Sequence, residues 1–242
     1  MVSKNQIKLI TSLQHKKYRN EHQLFIAEGV KVIQELLASN IVLEHLFVTE
    51  AVFEKIALSQ KTLINEGEMK KISALTSPSS CLAIFKIPKK VKVEKKGIIV
   101  ALDDIRDPGN LGTIIRLCDW FGIKQLLCSN ETVDVYNPKV IQATMGSITR
   151  VTINYVDLNA FISSTSLPVF GTFMDGKNIY QETLPTEGVL VFGNEANGIS
   201  PALEKSIENR IAIPRFGDIQ KTESLNVATA TAIFLSEFRR NA

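Results

Sequence analysis

A set of short, nearly continuous apolar runs in the C-terminal half constrains this chain more than any other feature. They lie at 97–102 (GIIVAL), 125–128, 169–173, 189–192 and 210–213. A strand with one face in water alternates apolar and polar residues, whereas a strand covered on both faces does not. Between the runs, 111–121, 139–146, 201–207 and 226–239 carry apolar residues at helical spacing. Strand–helix alternation of this kind predicts a doubly wound α/β domain around a parallel sheet.

The front of the chain reads differently. Shorter runs at 24–27, 46–49, 62–64 and 81–85 predict strands, and 30–38 and 51–58 have helix-like spacing. The expectation is a small α/β domain over residues 1–88. A basic linker follows at 89–96, inside KIPKKVKVEKK, with six lysines and one acid over 86–96. The α/β domain of the apolar runs then occupies 97–242. Charge divides along the same line. Residues 1–96 carry 16 Lys/Arg against 9 Asp/Glu, and the rest carry 12 against 16. The basic front half suits a polyanion such as a phosphate backbone, or equally a solvated surface with no partner.

No apolar run approaches the ~18 residues that cross a membrane. The first twenty residues lack the apolar centre of a secretory signal, although their want of any acid leaves a transit peptide open. Cys81, Cys118 and Cys128 are widely spaced and odd in number. That argues against a disulfide framework and for a reduced, cytoplasmic setting. No His/Asp/Glu set has metal spacing, and the expected metal requirement is none. There is no dinucleotide or phosphate-loop glycine fingerprint and no nucleophile elbow.

Ligands of open α/β sheets bind at the carboxyl ends of the strands, so the polar residues there carry the functional reading. The first cluster is DDIRDPGNLGTIIRLCDWFG at 103–122. Asp107 to Asn110 is a turn by composition, and Arg116 follows in a helix. As plain structure it is a turn and a surface arginine; as function, the arginine can clamp phosphate. The second is VLVFGNEANGIS at 189–200. A helix-capping turn explains Gly198, Ser200 and Pro201, but not a carboxylate, Glu195, between two glycines. The third runs from Ile213-Pro214 to Ser224-Leu225-Asn226. Ser224 or Asn226 is expected to cap the helix that follows.

In order and spacing the clusters resemble the three motifs of the SpoU–TrmH RNA methyltransferases, part of the SPOUT class. Asn110, Gly112, Arg116 and Phe121-Gly122 match the first, Gly193-Asn194-Glu195-Ala196-Asn197-Gly198 the second, and Ile213-Pro214 with Ser224-Leu225-Asn226-Val227-Ala228 the third. The resemblance covers roughly 97–242. Phe25-Ile26-Ala27-Glu28-Gly29 resembles the substrate-binding domain of rRNA-type members, which is similar to the ribosomal-protein L30e fold.

The resemblance implies a SPOUT domain with a deep C-terminal trefoil knot, homodimeric through the knot region. It implies transfer of methyl from S-adenosylmethionine to a ribose 2′-hydroxyl of RNA, with rRNA of the 23S type favoured over tRNA. Arg116 would act at the RNA phosphate, and Asn110, Glu195, Ser224 and Asn226 would shape the catalytic site. Backbone at Thr172, Gly193, Ile213 and Leu225, with Asn226, would hold the cofactor. A base-modifying SPOUT enzyme and a non-catalytic RNA-binding protein of the same fold are the rivals.

Overall fold

The computed structural model describes residues 1–218 and 224–240, which form two compact units. The first unit comprises Met1–Lys89 together with Asp134–Thr149, and the second Lys90–Val133 with Arg150–Ala242.

In the first unit, α1 (Lys4–Ser12) and α2 (Lys16–His22) precede β1 (Leu24–Glu28) and α3 (Val30–Leu37). Then come β2 (Leu43–Val48), β3 (Lys61–Leu63), α4 (Glu66–Ile72) and β4 (Cys81–Lys86). The strands stand in the order β1-β4-β2-β3, with β4 antiparallel to both neighbours and β3 parallel to β2. Ile26, Phe47, Leu82 and Ile84 meet Ile10, Leu13, Met69 and Ile72 in one buried cluster. Each such side chain contributes on the order of 1.5–3 kcal/mol on leaving water. Both α1 and α4 start with capping boxes, Ser3 with Gln6 and Asn65 with Glu68.

The helix expected over 51–58 is absent: the segment is a turn, with Phe53 at φ 56° and a short 3₁₀ turn following at Leu58–Gln60. Its apolar spacing was misleading, because Leu58 stays 84% exposed. The segment 134–149, which sequence reading places in the C-terminal domain, belongs to the first unit. Asp134 takes an ion pair from buried Arg19 at 2.5 Å, the Tyr136 ring lies 4.9 Å from that of Phe25, and Gly146 abuts the Glu35 side chain.

The second unit opens with β5 (Ile98–Leu102), α5 (Pro108–Trp120) and β6 (Gln125–Cys128). The chain then passes through the first unit, where α6 (Pro138–Thr144) lies, and returns. β7 (Thr152–Tyr155), α7 (Leu158–Ser164), β8 (Val169–Asn178), β9 (Gly188–Phe192), α8 (Pro201–Glu204), β10 (Asn209–Ala212) and α9 (Val227–Phe238) complete it. The sheet is parallel throughout, in the order β10-β8-β9-β5-β6-β7. β5 and β9 are buried along their whole length, as runs apolar on both faces require.

Strand order reverses between β5 and β9. From β5 the chain builds outward through β6 and β7, and the later strands fill the other side. Two loops therefore diverge at the carboxyl ends of β5 and β9, the place where open α/β sheets hold ligands. One irregularity widens it. β10 pairs with Phe170 and Gly171 and then jumps to Lys177 and Asn178, so residues 172–176 leave the ladder. At Gly176 a side chain would lie 2.5–2.8 Å from the Ile211 backbone, so the two strands approach as closely as only glycine allows.

The stretch 90–96 is less free than a linker by composition. Glu94 N–H donates to Gln125 Oε1 at 2.9 Å, and Gln125 Nε2 donates back to the Glu94 carbonyl. Lys95 Nζ reaches the Ser164 carbonyl at 2.8 Å, and Val93 packs against the core beside β5. Lys90, Lys92 and Lys96 remain exposed.

Candidate functional site

Each of the three sequence clusters leaves the end of one strand: β5, β9 and β10. Asp107 caps α5, its Oδ1 accepting the Asn110 N–H at 2.8 Å, and Pro108 occupies the first turn. This fixes Asn110 at the helix start with its side chain toward the β9 loop. Asn110 Nδ2 donates to Glu195 Oε1 at 2.8 Å, and Asn226 Nδ2 donates to Asn110 Oδ1 at 2.9 Å. Asn226 is the N-cap of α9, with Oδ1 accepting from Ala228 N and Thr229 N. Those backbone donors oblige the Asn226 amide to present its nitrogen to Asn110, and Asn110 must then present its own to the carboxylate. The chain Asn226–Asn110–Glu195 therefore has one polarity, and it joins residues 116 and 85 apart in sequence.

Beside it lies a cleft of about 1020 Å³ lined by Thr172, Gly193, Glu195, Ile213, Ser224 and Leu225, with Phe234 of α9 at its wall. It is at the large end of small-molecule sites. Thr172 spends its hydroxyl on the Val191 carbonyl at 3.1 Å, so what it offers the cleft is backbone. Leu225 is 47% exposed although it lines a concave wall, an apolar face suited to a flat ring. Ser224 lines the cleft without capping α9; the cap is Asn226. Ser200 stands at the N-cap of α8, but its side chain makes no capping bond. Arg116 is exposed on α5, does not line the cleft, and has no ion-pair partner among the described residues.

Sequence reasoning missed the bracket that holds the β9 loop. Asn194 is 9% exposed and all of its side-chain amide is used. Its Oδ1 accepts from Ala196 N and Asn197 N at 2.9 and 3.1 Å, and Nδ2 donates to the Asp104 carbonyl at 2.7 Å. Buried Asp103 accepts the Ser200 N–H at 2.7 Å. Asp104 itself sits in the left-handed region at φ 57°, which costs a non-glycine residue on the order of 1 kcal/mol or more. The signal was the Asp-Asp pair directly after an apolar strand. What it pairs with lies 90 residues on and is invisible locally.

The family model described as SpoU rRNA Methylase matches residues 97–236, and the one described as MRM3-like substrate binding domain matches 4–83. The 23S rRNA (guanosine(2553)-2′-O)-methyltransferase RlmP of Bacillus subtilis is 27% identical over 245 residues, 98% of this chain and 97% of that protein. A TrmH-family structure from Porphyromonas gingivalis is 38% identical with a TM-score of 0.91, covering 100% of both chains. An AdoMet-bound rRNA methyltransferase from Sinorhizobium meliloti is 29% identical with a TM-score of 0.86, covering 99% of this chain and 97% of that one. Motif order, the parallel sheet and these matches agree: the chain belongs to the SpoU rRNA methylase family.

Proposed function

We propose that this chain methylates a ribose 2′-hydroxyl of 23S-type ribosomal RNA, using S-adenosylmethionine. The observation that carries the reading is the hydrogen-bonded chain Asn226–Asn110–Glu195, which brings the three motifs to the rim of one cleft. S-adenosylmethionine, when bound, supplies an electrophilic methyl on a sulfonium. The cleft fits such a group, offering backbone at Thr172, Gly193 and Ile213 for polar atoms and the exposed Leu225 for a flat base. Asn226, Asn110 and Glu195 fix the rim on which the ribose rests, and Ser224 adds a hydroxyl. Arg116 takes the neighbouring RNA phosphate and eases loss of the hydroxyl proton by its charge. A guanidinium is always protonated, so it acts through its field and not as a literal base. Alignment of the reacting atoms is where most of the barrier is lowered, on the order of 7–11 kcal/mol.

Residues 1–88 serve in this reading as the L30e-like RNA-binding domain, 89–96 as the basic linker and 97–242, apart from the excursion of 134–149 into the first unit, as the methyltransferase domain, with its knot at the cofactor site. The enzyme works as a cytoplasmic homodimer. Trp120, 84% exposed one helical turn beyond Arg116, is an apolar surface that a second copy would cover. Among the described residues no helix is long and apolar enough to cross a membrane. The deciding experiment incubates the protein with labelled S-adenosylmethionine and, separately, ribosomal and transfer RNA, then maps the labelled nucleotide. Label on a base, on tRNA alone, or nowhere would overturn the assignment.

Asn110→Asp tests the polarity of the chain. Two carboxylates would face each other across a hydrogen bond of 2.8 Å in the wild type. One of the pair then binds a proton more tightly, its pKa raised. Activity is expected to fall at pH 8 by the worth of one charged hydrogen bond, about 1.5–3 kcal/mol. It recovers as pH drops and the shared proton restores the link. A kcat–pH profile parallel to that of the wild type would show that the link does not matter.

The exposed lysines 89, 90, 92 and 96 are expected to add RNA affinity without sequence preference. Changing all of them to glutamine should flatten the plot of log K against log salt by about 0.7–0.9 for each phosphate no longer neutralised. An unchanged slope removes this stretch from the RNA interface.

A further inference from the structure

In the first unit, α2 carries an aromatic and basic face for which the methyl-transfer chemistry has no use. Tyr18 lies between two histidine rings at helical spacing: His15 edge-on and His22 nearly parallel at 19°, each with its centroid 6.5 Å away. Lys17 Nζ stands 5.6 Å from the centre of the Tyr18 ring. His15, Lys16, Lys17, Tyr18 and His22 are all exposed. Burial does not explain these rings, since Arg19 is the only buried residue of the helix.

Arg19 makes that face rigid. It is 2% exposed, and its guanidinium donates through Nε and Nη2 to Asp134 Oδ2, at 2.8 and 2.5 Å, and through Nη1 to the Leu13 carbonyl at 2.9 Å. A helix of seven residues has little stability of its own. Here an ion pair takes the place of an apolar stripe, and the other side chains of the helix are exposed. Aromatic rings on a fixed support, flanked by lysines, are what unpaired nucleobases and their phosphates recognise.

We propose that the outer face of α2 binds a single-stranded stretch of the RNA substrate, with a base stacked on Tyr18 between the two histidines and phosphates at Lys16 and Lys17. The proposal rests on RNA being the substrate. The exposed Lys4, Lys8, Lys16 and Lys17 support it, against one exposed acid, Glu21, near the end of α2. A base-paired helix would satisfy the lysines but not the rings, because its bases are already stacked on one another.

The test measures binding of the full-length protein, without S-adenosylmethionine, to a short fluorescent single-stranded RNA of mixed sequence and to its duplex. Tyr18→Ala is expected to weaken single-strand binding roughly tenfold and to leave duplex binding and the melting temperature unchanged. Tyr18→Phe keeps the ring and should bind like the wild type. The double change of Lys16 and Lys17 to glutamine should lower the salt slope for the single strand by about 1.4. Equal affinity of Tyr18→Ala and wild type for the single strand overturns the proposal, as does an equal loss on duplex. If the wild type binds neither RNA, the assignment of an RNA substrate fails first.

Discussion

Replacing Gly193 by alanine is expected to abolish cofactor binding, with only a modest loss of stability. A methyl group at this position would lie 2.1 Å from the Gly198 carbonyl carbon and the Ile199 nitrogen, and 2.4 Å from the Gly198 oxygen. These are backbone atoms, so no rotamer relieves the overlap. Gly198 is also tied to Asn194 by paired backbone hydrogen bonds of 2.9 Å. The turn can yield only by breaking those bonds or by pulling Asn194 off Asp104. Either way Glu195 swings away from Asn110 and the lip of the cleft moves. Overpacking of this kind costs about 1–3 kcal/mol, a fall of roughly 2–4 °C per kcal/mol in melting temperature for a chain of this size. Calorimetric titration with S-adenosylmethionine should show at least a hundredfold loss of affinity, equivalent to about 2.7 kcal/mol. Gly217→Ala is the control. It lines the same cleft, but a methyl there meets nothing within 4 Å among the described residues, so binding should be unchanged. If Gly193→Ala binds within a few-fold of the wild type, the β9 turn is not part of the cofactor site.

What could be read from the sequence follows from which forces act locally. β5 and β9 lie within one residue of the apolar runs because burial on both faces removes every polar position. Once strand ends were located, Asn110, Glu195 and Asn226 stood out as polar residues where a ligand edge was expected. Their hydrogen bonds to one another could not be read, since they depend on β5 and β9 being neighbours, a fact of topology. The Asn194–Asp104 bracket was hidden for the same reason. α2 escaped notice because its only buried side chain is a charged one, so there is no apolar stripe to find. Edge strand β7 is short and only half covered, and the polar–apolar alternation of Thr152 to Tyr155 does not match its burial, since Asn154 is the buried residue. The excursion of 134–149 into the first unit turns on Asp134 and Gly146, whose partners Arg19 and Glu35 come more than a hundred residues earlier.

Arg116→Ala should remove methyl transfer while leaving fold and cofactor affinity intact, and the geometry explains why those effects separate. Arg116 follows Asn110 by six residues on α5, so the two side chains leave the helix about 120° apart. Asn110 turns to Glu195, which lines the cleft, and Arg116 is exposed, with no ion-pair partner among the described residues. Removing an exposed, unpaired side chain changes stability by no more than about 0.5 kcal/mol. The cleft loses no wall, so calorimetry should return a cofactor affinity within a few-fold of the wild type. Loss of a positioned charge at the phosphate beside the reacting hydroxyl should lower kcat on the order of 10²–10³-fold. Arg116→Lys keeps the charge but not the planar fork, and should fall between the two. Saturating RNA makes the measurement decisive. If the alanine variant regains near wild-type kcat there and only KM for RNA has risen, Arg116 merely anchors the substrate. A fall in kcat that no RNA concentration repairs places its charge beside the hydroxyl as the proton leaves.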